Sequence, residues 1–221
     1  MPGDKSLRRY ESCPPQHFSR WRFYFHLAVL RFICRPVLLM TYHPRVYGRK
    51  NVIKGGSFIV VSNHVDTFDP VMISHAVDYP ISYMAKIELF KNRWMAELFR
   101  LLGCFALDRE HPSTASLKTA LNVLKSREKW ALCLFPEGTR SQMGQLLPLK
   151  KGAGSLAKKT RLPVLPVGIH KNNRGRFVIT VGQAITDVSD PDNVNKKVHQ
   201  ALLQLAYSNE ENGAKSNAGD R

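Results

Sequence analysis

The run Ser62-Asn63-His64-Val65-Asp66-Thr67-Phe68-Asp69-Pro70 carries a histidine followed, after four intervening residues, by an aspartate. A histidine can take a proton from a reacting hydroxyl, and a carboxylate can fix its tautomer and stabilise the imidazolium. Spacing alone is weak grounds for that pair. Asp69-Pro70 also reads as the N-cap and first turn of a helix. The two roles are compatible, since one carboxylate oxygen can cap while the other holds the ring. Asp66 stands only two residues from His64 and is not expected to reach its ring. No metal site is expected with Asp66 or His75, because His75 falls on the following helix and no Cys/His cluster completes a ligand set.

Two further runs carry chemistry. In Phe135-Pro136-Glu137-Gly138-Thr139-Arg140-Ser141 the glycine permits close backbone approach, Arg140 is a fork for phosphate or carboxylate, and Thr139 and Ser141 are donors. In Gly103-Cys104-Phe105-Ala106-Leu107-Asp108-Arg109 a second arginine follows an apolar stretch. There is no GxSxG, GxGxxG or Walker lysine. The set therefore offers a base and anion clamps without a protein nucleophile, and its simplest chemistry is activation of a substrate hydroxyl by His64.

These runs must be held by elements. Strands are expected at 57–62, 81–85, 104–107, 131–135, 162–170 and 176–181, from short β-branched or apolar runs. Helices are expected at 70–77, 92–102, 113–126, 152–160 and 192–207, from apolar spacing and end signals such as Gly103. Alternation of this kind predicts one α/β domain, a mixed and mostly parallel sheet flanked by helices. The three chemistry-bearing runs then fall at the carboxyl ends of strands, where such sheets gather ligands.

The chain has 221 residues and a formal net charge of +16. Residues 1–60 and 111–182 hold the excess of Lys and Arg, spread through patterned segments rather than in a solvated block. An anionic partner is expected. The four cysteines lack CxxC spacing, which argues against a zinc knuckle or a disulfide framework and fits a reducing compartment. No secretory signal is evident in the polar, basic first twenty residues.

Residues 21–42 are the most apolar stretch. Arg31, Arg35 and Pro36 interrupt it, so a helix ending at Arg35 would be ~24 Å long, short of the ~30 Å hydrocarbon core. Arg20, Arg31 and Arg35 fall within about 60° on a helical wheel. A basic stripe on an aromatic-rich perimeter suits the membrane interface, and the alternative is a helix docked on the body with its arginines in water. The expected organisation is a membrane-associating segment at 1–44, a catalytic domain at 45–208 and a disordered polar tail at 209–221.

With these residues in view, the sequence resembles the glycerolipid acyltransferases, in particular the lysophosphatidate (1-acylglycerol-3-phosphate) O-acyltransferases. The N-H-x4-D block matches Asn63, His64 and Asp69, and the F-P-E-G-T-R-S block matches Phe135 to Ser141 without a gap. The Gly-apolar-Arg block matches Gly103 to Arg109, with Ala106 where a bulkier residue is usual. A V-P-x-x-P-V type strand is matched by Leu162 to Val167.

The resemblance implies transfer of a fatty acyl group from acyl-carrier protein or acyl-coenzyme A to the free hydroxyl of 1-acylglycerol 3-phosphate. The product would be phosphatidate, in phospholipid biosynthesis. It implies His64 as base, Asp69 as its orienter, and Arg109 and Arg140 holding the acceptor phosphate, with Glu137, Gly138 and Thr139 shaping the loop. Lys86, in an Ala-Lys-x-Glu-Leu segment, is a further phosphate candidate. No cofactor beyond the thioester co-substrate and no nucleic acid is expected. The expected location is peripheral or monotopic, on an anionic membrane's cytoplasmic face. The alternatives are acylation of another lysophospholipid or of glycerol 3-phosphate, and a non-catalytic basic module binding membrane or RNA.

Overall fold

The computed structural model describes residues 5–207 except 112, 142–145 and 173. The tail expected to be disordered lies outside the described residues. Seven strands form one sheet: β1 (Arg45–Tyr47), β2 (Ile59–Ser62), β3 (Ile81–Lys86), β4 (Phe105–Leu107), β5 (Ala131–Leu134), β6 (Val164–Lys171) and β7 (Phe177–Val181). Their spatial order is β1-β7-β6-β2-β5-β3-β4, and only the β6–β7 pair is antiparallel. The mixed, mostly parallel sheet expected from the sequence is therefore present. Central strands β2 and β5 are buried at every residue, because helices cover both faces and no side of these strands meets water.

Alternation within β2 sends successive residues to opposite faces. Ile59 and Val61 pack with Leu132, Leu134 and the helices α5 (Thr114–Leu124), α6 (Gly152–Thr160) and α7 (Pro191–Tyr207). Phe58 and Val60 pack on the other face with Met72, Ile73, Ala76 and Val77 of α3 (Asp69–Val77). Each such side chain, fully buried, contributes roughly 1.5–3 kcal/mol. The remaining helix, α4 (Arg93–Leu101), is capped by the Asn92 side chain, which accepts from the N–H groups of Trp94 and Met95. It ends at Gly103 (φ 81°), where an added Cβ would stand 2.6 Å from the Trp130 ring.

The N-terminal segment differs from expectation. The helix does not stop at Arg35 but continues to Thr41 as α1 (Arg20–Val29), a π-helical turn at Leu30–Cys34, and α2 (Arg35–Thr41). The wider turn immediately before Pro36 accommodates a residue that has no N–H and crowds the preceding carbonyl. The 22 residues would span ~33 Å, long enough and apolar enough to cross a bilayer. One side of the helix packs on the domain. His26, Leu30 and Leu38 are buried, and both Nε and Nη2 of Arg31 bond the Asp78 carboxylate at 3.1 Å. Arg31 is thus a strut to the end of α3. The wide turn also breaks the 100° phase on which the basic stripe was drawn. The outward face is apolar: Trp21, Tyr24, Phe32, Ile33, Val37 and Met40 are exposed. Ahead of the helix, Tyr10, Cys13 and Phe18 are buried in the same body as the sheet.

Candidate active site

The carboxyl ends of β2, β5, β3 and β4 share one edge of the sheet, since these strands run parallel. Asn63 leaves β2 fully buried. Its amide donates to Ile169 O and its oxygen accepts from Ile169 N–H, both at 2.8 Å, which pins the loop to β6. His64 then turns its Nδ1 to Oδ2 of Asp69 at 2.7 Å. Asp69 is fully buried, and the same Oδ2 accepts the N–H groups of Val65 (2.7 Å) and Asp66 (2.9 Å).

That geometry revises the capping expectation. Asp69 is the first residue of α3 rather than its cap, and the side chain folds back on the upstream loop. The ring and the loop share one oxygen, while Oδ1 is buried without a partner among the described residues. The helix instead receives Asp66, whose Oδ1 accepts from Phe68 N–H at 2.9 Å. Asp66 is engaged there and not with the imidazole.

With Nδ1–H donated to a carboxylate, Nε2 presents a lone pair. Among the described residues it makes no hydrogen bond, and the ring is stacked on Phe135 with centroids 4.3 Å apart. The arrangement can accept a proton at Nε2 and hold the resulting imidazolium against a buried anion.

The loop after β5 is tied to the histidine through its backbone. Buried Glu137 accepts from His64 N–H (2.9 Å) through Oε1 and from Leu147 N–H (3.0 Å) through Oε2. Ser141 N–H donates to His64 O at 2.8 Å. Glu137 thus braces two loops and spends both oxygens on backbone.

Cations gather beside it. Arg109 donates to Gly138 O at 2.7 Å, and Arg140 donates to Thr67 Oγ1 at 2.8 Å. Burial lowers the proton affinity of Arg109, Glu88 raises it, and the charge of nearby Arg140 lowers it again. Gly138 has φ 73°, and a Cβ there would lie 2.9 Å from both Cε and Nζ of Lys150. Lys150 is therefore a third cation at this loop, one not singled out from the sequence; its signal is the Lys150-Lys151 pair before Gly152. Thr139 is exposed on the same loop. Lys86 ends β3 beside Leu107 in register, and its Nζ lies 3.2 Å from Glu88 Oε1. His75 is buried on α3 with Nε2 3.2 Å from Arg49 Nη2, apart from the His64 loop.

A base held by a carboxylate, with arginines at neighbouring strand ends, suits a class that transfers a group to a hydroxyl. Comparison with known proteins agrees: the family model described as Acyltransferase matches residues 43–170, and the chain belongs to this family of O-acyltransferases. Over 158 residues it is 30% identical to the 1-acyl-sn-glycerol-3-phosphate acyltransferase of Bacillus subtilis (strain 168), covering 71% of this chain and 74% of that one. It is 31% identical over 189 residues to the Saccharomyces cerevisiae protein of that name, covering 77% of this chain and 59% of that one. The crystal structure of the 1-acyl-sn-glycerophosphate (LPA) acyltransferase PlsC from Thermotoga maritima superposes with a TM-score of 0.63. Identity there is 25%, with 87% of this chain and 80% of that chain covered.

Proposed function

We propose that the protein acylates the free hydroxyl of 1-acylglycerol 3-phosphate, drawing the acyl group from acyl-coenzyme A or acyl-carrier protein and releasing phosphatidate and a thiol. The observation that carries this is the His64–Asp69 pair beside Arg109, Arg140 and Lys150.

In this reading Nε2 of His64 takes the hydroxyl proton as the oxygen attacks the thioester carbonyl. The C–O bond forms and the carbonyl electrons move onto oxygen. Collapse of the tetrahedral adduct breaks the C–S bond, and the imidazolium returns the proton to the departing thiolate. Asp69 holds the tautomer and stabilises the charged ring throughout. The acceptor phosphate sits against Arg109 and Arg140, with Lys150 over Gly138 as a point charge; the arginines provide forked donors and Lys150 long-range attraction. Lys86 is available at the rim, shared with Glu88. No metal or cofactor enters these steps.

The acceptor and product are amphiphiles, so the site must meet a lipid surface. The exposed side chains of the Arg20–Thr41 helix supply an apolar face for one leaflet. Its far end reaches the catalytic loop, since Tyr42 packs on Phe68 with centroids 5.3 Å apart. Crossing the bilayer would strip Arg31 from Asp78 and carry several arginines into hydrocarbon. A monotopic protein on an anionic cytoplasmic face fits better.

The test is acyl transfer by the full chain on a panel of acceptors with both donors. The panel contains 1-acylglycerol 3-phosphate, glycerol 3-phosphate, lysophosphatidylcholine and monoacylglycerol. The expected result is preference for the first. Preference for glycerol 3-phosphate or lysophosphatidylcholine would reassign the acceptor.

A further inference from the structure

A basic cavity lies at the end of the sheet opposite the His64 loop. Arg100 and Leu102 precede β4 and Arg109 follows it; a three-residue strand spans about 10 Å, and the two sites are at its opposite ends. The cavity has a volume of about 400 Å³ and is lined by His17, Arg22, Trp94, Glu97, Leu98 and Arg100 among others.

Its walls are built rather than incidental. His17 is buried in the 3-10 turn Pro15–His17, with Nε2 2.7 Å from Arg100 O and Arg22 Nη1 beside both ring nitrogens, 2.7 Å from Nδ1 and 2.6 Å from Nε2. A carbonyl oxygen only accepts, so Nε2–H donates to Arg100 O, and the Arg22 guanidinium stands beside the same ring. Burial first and the Arg22 charge second push the pKa of His17 down to about 4, so the ring is neutral near pH 7. Arg22 Nη1 also donates to Arg100 O at 3.2 Å.

The Arg100 guanidinium lies over Tyr10 at 5.8 Å, and its Nε is buried with no hydrogen-bond partner. Two guanidinium groups thus face one cavity, and neither has a carboxylate within ion-pair distance among the described residues. Burial and then the charge of Arg100 lower the proton affinity of Arg22, against smaller opposing effects of Cys13 and Glu97. Two like charges facing one cavity are what a bound anion would relieve.

The rim says what kind of anion. Trp94 is 86% exposed, and Leu98, which lines the cavity with it, is exposed too. Trp21 begins the same helix whose outward face is apolar, and Arg22 sits 5.2 Å over the Trp21 ring. Tryptophan at a polar–apolar boundary, above a cationic pocket, is the pattern of a lipid interface. We propose that this cavity is a second phosphate site, which takes the head group of an anionic phospholipid and seats the domain on the membrane at the end of the sheet opposite His64. The inference builds on the membrane-facing reading above, but not on the identity of the acceptor.

The experiment measures sedimentation of the full chain with phosphatidylcholine vesicles, with and without about a third phosphatidylglycerol. Arg22→Gln/Arg100→Gln is expected to weaken binding to the anionic vesicles about tenfold or more, with binding to neutral vesicles unchanged. The charge-matched Lys158→Gln/Lys159→Gln pair, both exposed on α6, should cost much less. Glu97→Gln, which removes the cavity's carboxylate from an exposed position, should strengthen anionic binding more than Glu128→Gln does. It guards against misfolding of the double arginine variant.

Arginine and lysine pairs that lose binding equally, with Glu97→Gln matching Glu128→Gln, would overturn the site in favour of diffuse charge. Calorimetric binding of inorganic phosphate that vanishes in the arginine variant while vesicle binding persists would overturn the lipid assignment in favour of a soluble anion. Failure of acyl transfer in the wild type would sink the proposed function and leave these vesicle results standing.

Discussion

Oδ2 of Asp69 lies 2.7 Å from Nδ1 of His64 and also accepts the backbone N–H groups of Val65 and Asp66. One oxygen therefore fixes the imidazole and the loop that carries it. Asp69→Asn can keep these contacts if its amide oxygen takes the Oδ2 position, placing an NH2 where Oδ1 now has no partner. A buried unpaired donor costs about 1–3 kcal/mol, so the variant should fold with a lowered melting temperature. Without the negative charge, transfer should fall roughly 10²–10⁴-fold. Asp66→Asn, whose partner is Phe68 N–H, should stay near wild-type activity. A dead Asp66→Asn protein beside an active Asp69→Asn one would reverse the assignment.

Arg140 and Arg109 should separate. Arg140 is exposed and donates to Thr67, so Arg140→Ala should lower activity on 1-acylglycerol 3-phosphate about 10–100-fold and leave monoacylglycerol nearly untouched. Arg109 also holds Gly138 O, so Arg109→Ala should harm both acceptors, the phosphate-bearing one more. Kinetics on the two acceptors decide this. Equal losses from Arg140→Ala would make it a loop brace.

For the helix, Phe32, Ile33 and Met40 are 79%, 60% and 79% exposed. Replacing all three by Ser should reduce partition onto neutral vesicles by about 10²-fold or more, with the melting temperature unchanged. Arg31→Gln should do the converse. Loss of a half-exposed pair with Asp78 costs less than about 1 kcal/mol and should leave partition within about threefold. Vesicle binding that survives the serine variant would place the anchor elsewhere.

Acid should destabilise the fold in a defined window. Burial, then Arg22, lowers His17 to about 4, and burial, then Arg49 and Arg35, lowers His75 to about 4. Between the unfolded value of about 6.5 and about 4 the unfolded chain binds more protons. Stability present above about pH 6.5 is therefore lost as pH falls through that window. Melting temperatures from pH 7 to 4 should drop less steeply in His17→Gln/His75→Gln. An identical pH slope would contradict the role of these two histidines.

Much of this was legible because it was local. The β-branched run at β2, the apolar run at β5 and the motif between His64 and Asp69 are short patterns, and the structure forms them where the patterns lie. What was not legible depended on partners distant in sequence. β1 is three residues whose strand character comes from pairing with β7. Glu137 reads as part of a turn until His64 N–H and Leu147 N–H are seen on its two oxygens. Arg31 reads as part of an interfacial basic stripe because its partner, Asp78, lies 47 positions away. Pro36 looked like a helix stop because a π-helical turn has no sequence signal as plain as a proline's. Lys150 reaches Gly138 across a loop that spacing could not fold.

The most direct measurement is acyl transfer by full-length His64→Ala on 1-acylglycerol 3-phosphate, with melting temperature as the folding control. Asn63 and Thr67 are not basic near neutral pH, and Asp66 is engaged with Phe68, so no neighbour should substitute as base. The account predicts a folded protein whose turnover is lower by about 10²–10⁴-fold or more. A folded His64→Ala protein that retained turnover within a few-fold of wild type would contradict it.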